Sequence, residues 1–344
     1  MIGRSCNAMK TLLSAAALAL LLSPAASARA PATPAPQYRV VETISGPDGG
    51  WDLLGVDPAH HRLYVARSDA VMAVDLANGQ VTPALLPAQR GHAALAIPGG
   101  NEAIVTNGNS DNAQIFDGTT GKVRATISTG KKPDAAAYDP LTRHLFVMNA
   151  DSGDISVIDP VRATVIATIA VGGSLELGAA DGRGNLFVNV EDKNDVAVID
   201  TRTNRLVRRF PLAGCDGPTG IAYAPEARRL VSACANGRAI VSDVSGRQVA
   251  NIAIGEGPDG AVYDDARHVA LIPSGRTGTL SVIQLTGQPR LLQTLATAKG
   301  ARTAALDPST GRVYLPSAQY LPAVGKDRPR MVPGSFRLIV VAPR

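Results

Sequence analysis

A block of roughly 42 residues recurs seven times along the chain, a repeat length that in itself restricts the architecture to a few arrays. Each copy opens with a strand of small residues ending in a turn. A strand of the Leu63-Tyr64-Val65-Ala66 kind follows, then one of the Val157-Ile158-Asp159 kind, then a Thr-Gly-Lys-like hairpin and a last strand. With the residue that ends each first strand as marker, the copies fall at Asp57, Ile97, Asp139, Asp181, Ala224, Asp264 and Asp307. The spacings are 40, 42, 42, 43, 40 and 43 residues. Four short strands per block of this length is the signature of a propeller blade, so the chain is read as an all-β, seven-bladed β-propeller.

Closure of the ring is also written in the sequence. The run Phe336–Ala342 matches the third strand of a blade and has no fourth strand after it, whereas Tyr38–Ile44 precedes the first blade and has no blade of its own. Pairing the two closes the ring and removes two exposed strand edges. Residues 37–344 are therefore expected to form one domain.

The first residues read as an export signal. Arg4 and Lys10 supply positive charge, Thr11–Leu22 is apolar, and Ala26-Ser27-Ala28 is a small-residue cleavage site. Residues 1–28 are expected to be a signal peptide and 29–36 a disordered, Pro/Ala-rich lead-in. The apolar run is too short to span a bilayer well, no other transmembrane candidate exists, and a periplasmic location is expected. Loss of Arg4 and Lys10 lowers the formal charge from +5 to +3. With only 4% aromatic residues there are few platforms for stacking bases, so nucleic acid is an improbable partner. Cys215 and Cys234 remain after export, on the same edge of the fifth blade. An oxidising compartment favours a bridge between them; two small buried thiols are the alternative.

Propeller topology sorts residues onto two faces. The starts of the innermost strands share the upper face with the loops between second and third strands. The Asp57-Pro58, Asp139-Pro140 and Asp307-Pro308 turns lie on the lower face with His60, His61, His144 and His268, all read as solvated. Counting back five residues from each marker gives the upper mouth of the central channel: Asp52, His92, Asp134, Glu176, Thr219, Asp259 and Arg302. Four carboxylates facing one Arg leave this ring near −3 when the acids are ionised and His92 is neutral. Polar groups converging at the end of an apolar channel are the usual form of a propeller binding site, although a purely structural network is the plainer reading.

Asp52, His92, Asp134 and Glu176 also form a candidate set for a divalent metal, the cofactor weighed for this chain. Trp51, beside Asp52, either walls the mouth or packs beneath it. Asn107, Asn109 and Asp111 alternate like part of a calcium loop, but without its glycine and final Glu they are read as turn formers. The last blade carries an insertion, Gln319–Ser335, with Lys326, Asp327, Arg328 and Arg330, placed as a lid or a solvated loop beside Arg302. No haem, zinc-protease, serine-hydrolase or phosphate-loop motif occurs.

At this level the blades resemble the YVTN-type, YncE-like β-propellers of bacterial periplasms. The general carriers are Leu63-Tyr64-Val65-Ala66, Val105-Thr106-Asn107, Leu145-Phe146-Val147-Met148-Asn149, Val157-Ile158-Asp159 and Val198-Ile199-Asp200. More specific are Gly50-Trp51-Asp52, Cys215-Asp216-Gly217-Pro218-Thr219-Gly220, Gly300-Ala301-Arg302-Thr303 and Val332-Pro333-Gly334-Ser335-Phe336. Gln284 departs from the repeat, standing where other blades have Asp, which should weaken one lower-face hairpin. The resemblance implies a seven-bladed propeller and export, and implies no reaction. Two functions stay open: a monomeric binding or scaffold protein whose mouth takes a small cationic ligand, a metal or a periplasmic protein partner, and a lactonase-like, metal-assisted hydrolase at the same mouth.

Overall fold

Runs such as Leu145-Phe146-Val147-Met148 are apolar on both faces, and a strand of that kind is stable only when covered from both sides. The computed structural model, which describes residues 35–322 and 329–344, meets this requirement with seven four-stranded antiparallel sheets in a ring. Burial peaks in the middle strands: the innermost strand Pro133–Asp139 is partly exposed to the channel, Leu145 to Asn149 is wholly buried, and Thr164–Ala170 at the blade's outer edge is mostly exposed. Seven apolar clusters hold the ring, each built from two neighbouring blades. The expected signal peptide, residues 29–34 of the lead-in and the insertion residues Lys326, Asp327 and Arg328 lie outside the described residues.

The ring closes as the sequence implies. Tyr38–Ser45 pairs with Arg337–Pro343, completing blade 7 with Ala305–Asp307 and Arg312–Ser317. The closing strand is also fastened sideways to blade 6. The fully buried Tyr38 hydroxyl donates to Asp264 Oδ2 at 2.7 Å, and the Gln293 amide brackets the Tyr38 backbone at 2.8 and 2.9 Å. In blade 5 the Cys215–Cys234 disulfide joins the approach to the innermost strand, Pro218–Ala224, to the end of the second strand, Arg229–Cys234.

The turns on the lower face follow from their aspartates. Asp57 accepts the backbone N–H groups of Ala59 and His60, and Asp139 and Asp307 serve their own turns in the same way. Asp75, Asp117, Asp159, Asp200 and Asp243 cap the hairpins between third and fourth strands. Gln284 at the equivalent place in blade 6 instead donates to the Thr286 carbonyl, so that hairpin loses its carboxylate cap.

Two departures from ideal strand geometry position the site. In blades 1 to 5 the register between first and second strands slips beside the mouth residue, as between Trp51 and Leu54 or between Leu175 and Gly178. Bulges of this kind re-aim a side chain and unpair the backbone around it. In blades 6 and 7 the innermost strands shrink to Val262–Asp264 and Ala305–Asp307, three residues each, against six or seven elsewhere.

Candidate binding site at the channel mouth

The bulges free backbone carbonyls at the mouth, and side chains of neighbouring blades satisfy them. Thr106 donates to the Asp134 carbonyl (2.6 Å), Asn189 to the carbonyls of Thr219 and Gly220, Thr219 to that of Pro258, and Thr303 to that of Asp52 (2.9 Å). Each mouth residue so held is fixed by the next blade as well as its own. Two glycines make room for the bulkier members. A Cβ on Gly108 would stand 2.7 Å from the His92 ring, and one on Gly275 would stand 2.8 Å from Arg302 Cβ. These supporting residues are invisible to a count along one repeat, because each acts across a blade boundary or on a ring folded over it.

The mouth divides into two paired sectors and one unpaired sector. In the first, His92 Nδ1 lies 2.7 Å from Asp52 Oδ2 and 3.5 Å from Asp134 Oδ1, while Arg90 Nε donates to His92 Nε2 at 3.2 Å. The neutral imidazole with its proton on Nδ1 satisfies both contacts. Burial opposes charging of His92, but the hydrogen bond it donates to Asp52 and the charges of Asp134 and Asp52 outweigh it and raise its pKa. In the second sector Arg302 Nε donates to Asp259 Oδ2 at 2.7 Å, with Nη2 3.8 Å from Asp52 Oδ1.

Glu176 occupies the third sector. Among the described residues its carboxyl has neither a hydrogen bond nor a cationic partner; burial pushes it up to about 9, and the charges of Asp134, Asp259, Glu191 and Asp52 add to the rise. Burial likewise lifts Asp134 to about 6 and Asp259 to about 7. The nearby Asp52 charge raises both, and His92 and Arg302 respectively oppose the rise. At neutral pH Glu176 therefore keeps its proton.

The remaining expected site residues are placed as follows. Thr219 is buried and turned to its neighbour's backbone. Trp51 is 6% exposed and packs edge-on against Phe336 (5.3 Å between ring centroids), with Tyr320 6.4 Å away, so it underlies the mouth. The described ends of the insertion, residues 319–322 and 329–335, are joined by a bridge between Tyr320 and Met331, and Tyr320 reaches this aromatic group. Asn107 and Asp111 accept the backbone N–H groups of Gln89 and Lys132, 18 and 21 residues away, so they brace neighbouring loops instead of forming their own turn.

Of the four residues considered for a metal, Asp52, His92 and Asp134 converge with ligand atoms within 4.8 Å of one another, and Glu176 is not part of that group. A metal at His92 Nδ1 would have to displace the Asp52 hydrogen bond and sit near the Arg90 cation. One imidazole and two carboxylates suit a borderline divalent ion, so the donor chemistry fits while the surroundings oppose it. A second group, Glu226, Asp265 and His268, is exposed on the lower face, with His268 Nδ1 2.5 Å from Glu226.

No family profile and no curated protein matches the sequence. Among solved structures the chain is similar to one described as Kuenenia stuttgartiensis hydrazine synthase. The TM-score is 0.66 at 16% identity, over 77% of this chain and 92% of that one. A likeness of this degree establishes the propeller fold. Among the described residues no helix is long and apolar enough to cross a membrane.

Proposed function

We propose that this propeller is an exported binding protein whose upper channel mouth holds a small cation, with an organic amine favoured over a metal. The propeller fold supports a binding or scaffold role in general, and the state of Glu176 supports the narrower reading. A half-buried carboxyl near Asp134, Asp259 and Asp52, with no partner of its own among the described residues, is destabilised in its charged form unless a cation arrives. An ammonium group supplies the missing charge and donors together. The unpaired sector lies away from Arg90, which would repel a cation placed at His92.

The YVTN-type resemblance of the blades and the Cys215–Cys234 bridge, which suits an oxidising compartment, support export after cleavage behind Ala28. A metal-assisted hydrolase is the second reading, favoured only by the convergence of Asp52, His92 and Asp134. In it those three residues would hold the ion, which would act as Lewis acid and water activator.

Calorimetric titration of the mature chain with 1,4-diaminobutane, Ca²⁺ and Zn²⁺ decides between them. The amine is expected to bind one per chain, to release a proton at pH 7.5 and to lose at least tenfold in affinity in Glu176→Gln. Zn²⁺ binding that is retained in Glu176→Gln and lost in Asp52→Asn would favour the hydrolase instead. Failure of all three cations to bind the parent would overturn both.

A further inference from the structure

The unpaired sector of the mouth has a second acid, which a count along the innermost strands does not reach. Glu191 opens the 3-10 turn Glu191–Lys193 in the upper loop of blade 4. This turn is braced to the entries of two innermost strands. The Glu191 N–H donates to the Ser174 carbonyl at 2.9 Å, and Asp192 accepts the Ser174 N–H at 2.7 Å, just ahead of Glu176. Asn194, which caps the turn, accepts the Gly217 N–H at 2.9 Å, just ahead of Thr219. The Glu191 side chain leans the same way, with Oε1 3.8 Å from the place a Cβ would take on Gly217. Glu191 therefore stands over the boundary of blades 4 and 5, near enough for its charge to act on Glu176.

Nothing on this side of the mouth answers that charge. The half-buried Glu191 carboxylate, like that of Glu176, has no hydrogen bond and no ion pair among the described residues. The cations of the adjoining loops are committed elsewhere, Lys193 to Asp192 (2.8 Å) and Arg302 to Asp259 (2.7 Å). Thr219, the mouth residue of blade 5, spends its hydroxyl on the Pro258 carbonyl. Asp52 and Asp134 have His92, so the acids left over at the mouth are Glu176 and Glu191. A ligand with one positive charge answers only one of them. Neither belongs to a converging group of metal-ligating side chains, which favours two separate ammonium groups over one shared ion.

We propose that Glu191 is a specificity-determining residue of the mouth, taking the second ammonium group of a linear, dicationic amine whose first is held by Glu176. This rests on the cation reading of the mouth and narrows it from amines in general to dications.

Calorimetric titration of the mature chain with n-butylamine, 1,4-diaminobutane, 1,6-diaminohexane and Ca²⁺, at about 150 mM salt to screen long-range attraction, tests this. At least one diamine is expected to bind tenfold or more tighter than butylamine. Glu191→Gln, isosteric and in an outer turn, is expected to bring that diamine within about threefold of butylamine and to leave butylamine within twofold of the parent; a thermal melt confirms its fold. Asp216→Asn removes an exposed acid from the neighbouring loop and controls for charge in general, so it should keep the preference within twofold. Amine binding that needs Glu176 but shows no diamine preference would overturn this proposal and leave the cation reading standing. So would a preference that survives in Glu191→Gln or falls equally in Asp216→Asn. Ca²⁺ binding tighter than either diamine and lost in Glu191→Gln would give the two acids to a metal and overturn it too. Failure of every amine to bind would sink both readings.

Discussion

Glu176 shows how a single carboxyl can set the pH response of the molecule. Its pKa is raised from 4.5 in the unfolded chain to about 9 in the fold, so between those values the folded chain keeps a proton that the unfolded chain has lost. Stability therefore declines as pH rises through that window. Asp134 and Asp259 act in the same direction over narrower windows ending near 6 and 7. Glu176→Gln is expected to melt like the parent at pH 4 and to be more stable at pH 8.5, by on the order of a few kcal/mol at most. Denaturant titration at the two pH values measures the difference; a Glu176→Gln variant no more stable than the parent at pH 8.5 would contradict it. The ring position of Glu176 is legible by counting along the repeat. Its isolation is not, because whether an acid at the mouth finds a partner depends on which residues stand beside it across blade boundaries. The same limit hides Gly108 and Gly275, whose purpose exists only once His92 and Arg302 are folded over them.

At the level of strands, the apolar runs name the second and third strands of each blade correctly, because only sandwiched strands tolerate such runs. The bulges beside the mouth leave no comparable trace. Small residues such as Ala93 and Gly220 are as compatible with a regular ladder as with a slipped one, and the choice is made by Thr106 and Asn189 reaching from adjacent strands. The disulfide of blade 5 was one of two readings of Cys215 and Cys234, and the structure joins them with their Cα atoms 5.4 Å apart. It closes a loop spanning 19 positions, for which chain-entropy arguments give a stabilisation of about 3 kcal/mol. Protein made with its leader and recovered from the periplasm should carry the bridge. Protein made without residues 1–28 under reducing conditions should carry two free thiols and be less stable by about that amount. Thiol counting with a urea titration would show either result; equal stability would refute the estimate.

For the molecule as a whole, ring closure is the property on which the others rest. The Tyr38–Ser45 strand completes blade 7 and clips it to blade 6 through Asp264 and Gln293, so its removal uncovers one sheet edge and weakens one blade interface at once. A chain starting at Gly46 is expected to melt at least 10 °C lower than one starting at Pro36, with looser cooperativity, as scanning calorimetry would show. An unchanged melting profile would mean that the other six interfaces suffice. The cavity of about 620 Å³ at the lower end of the channel is not legible in the sequence, because most of its lining residues are alanines, leucines and valines that read as ordinary core. The shortened innermost strands of blades 6 and 7 carry a consequence at the other end. There Asp259 and Arg302 are tied by their ion pair and one backbone hydrogen bond instead of by a full ladder. The mouth is thus held by strand pairing over five blades and, at Asp259 and Arg302, by an ion pair and loop contacts over the other two.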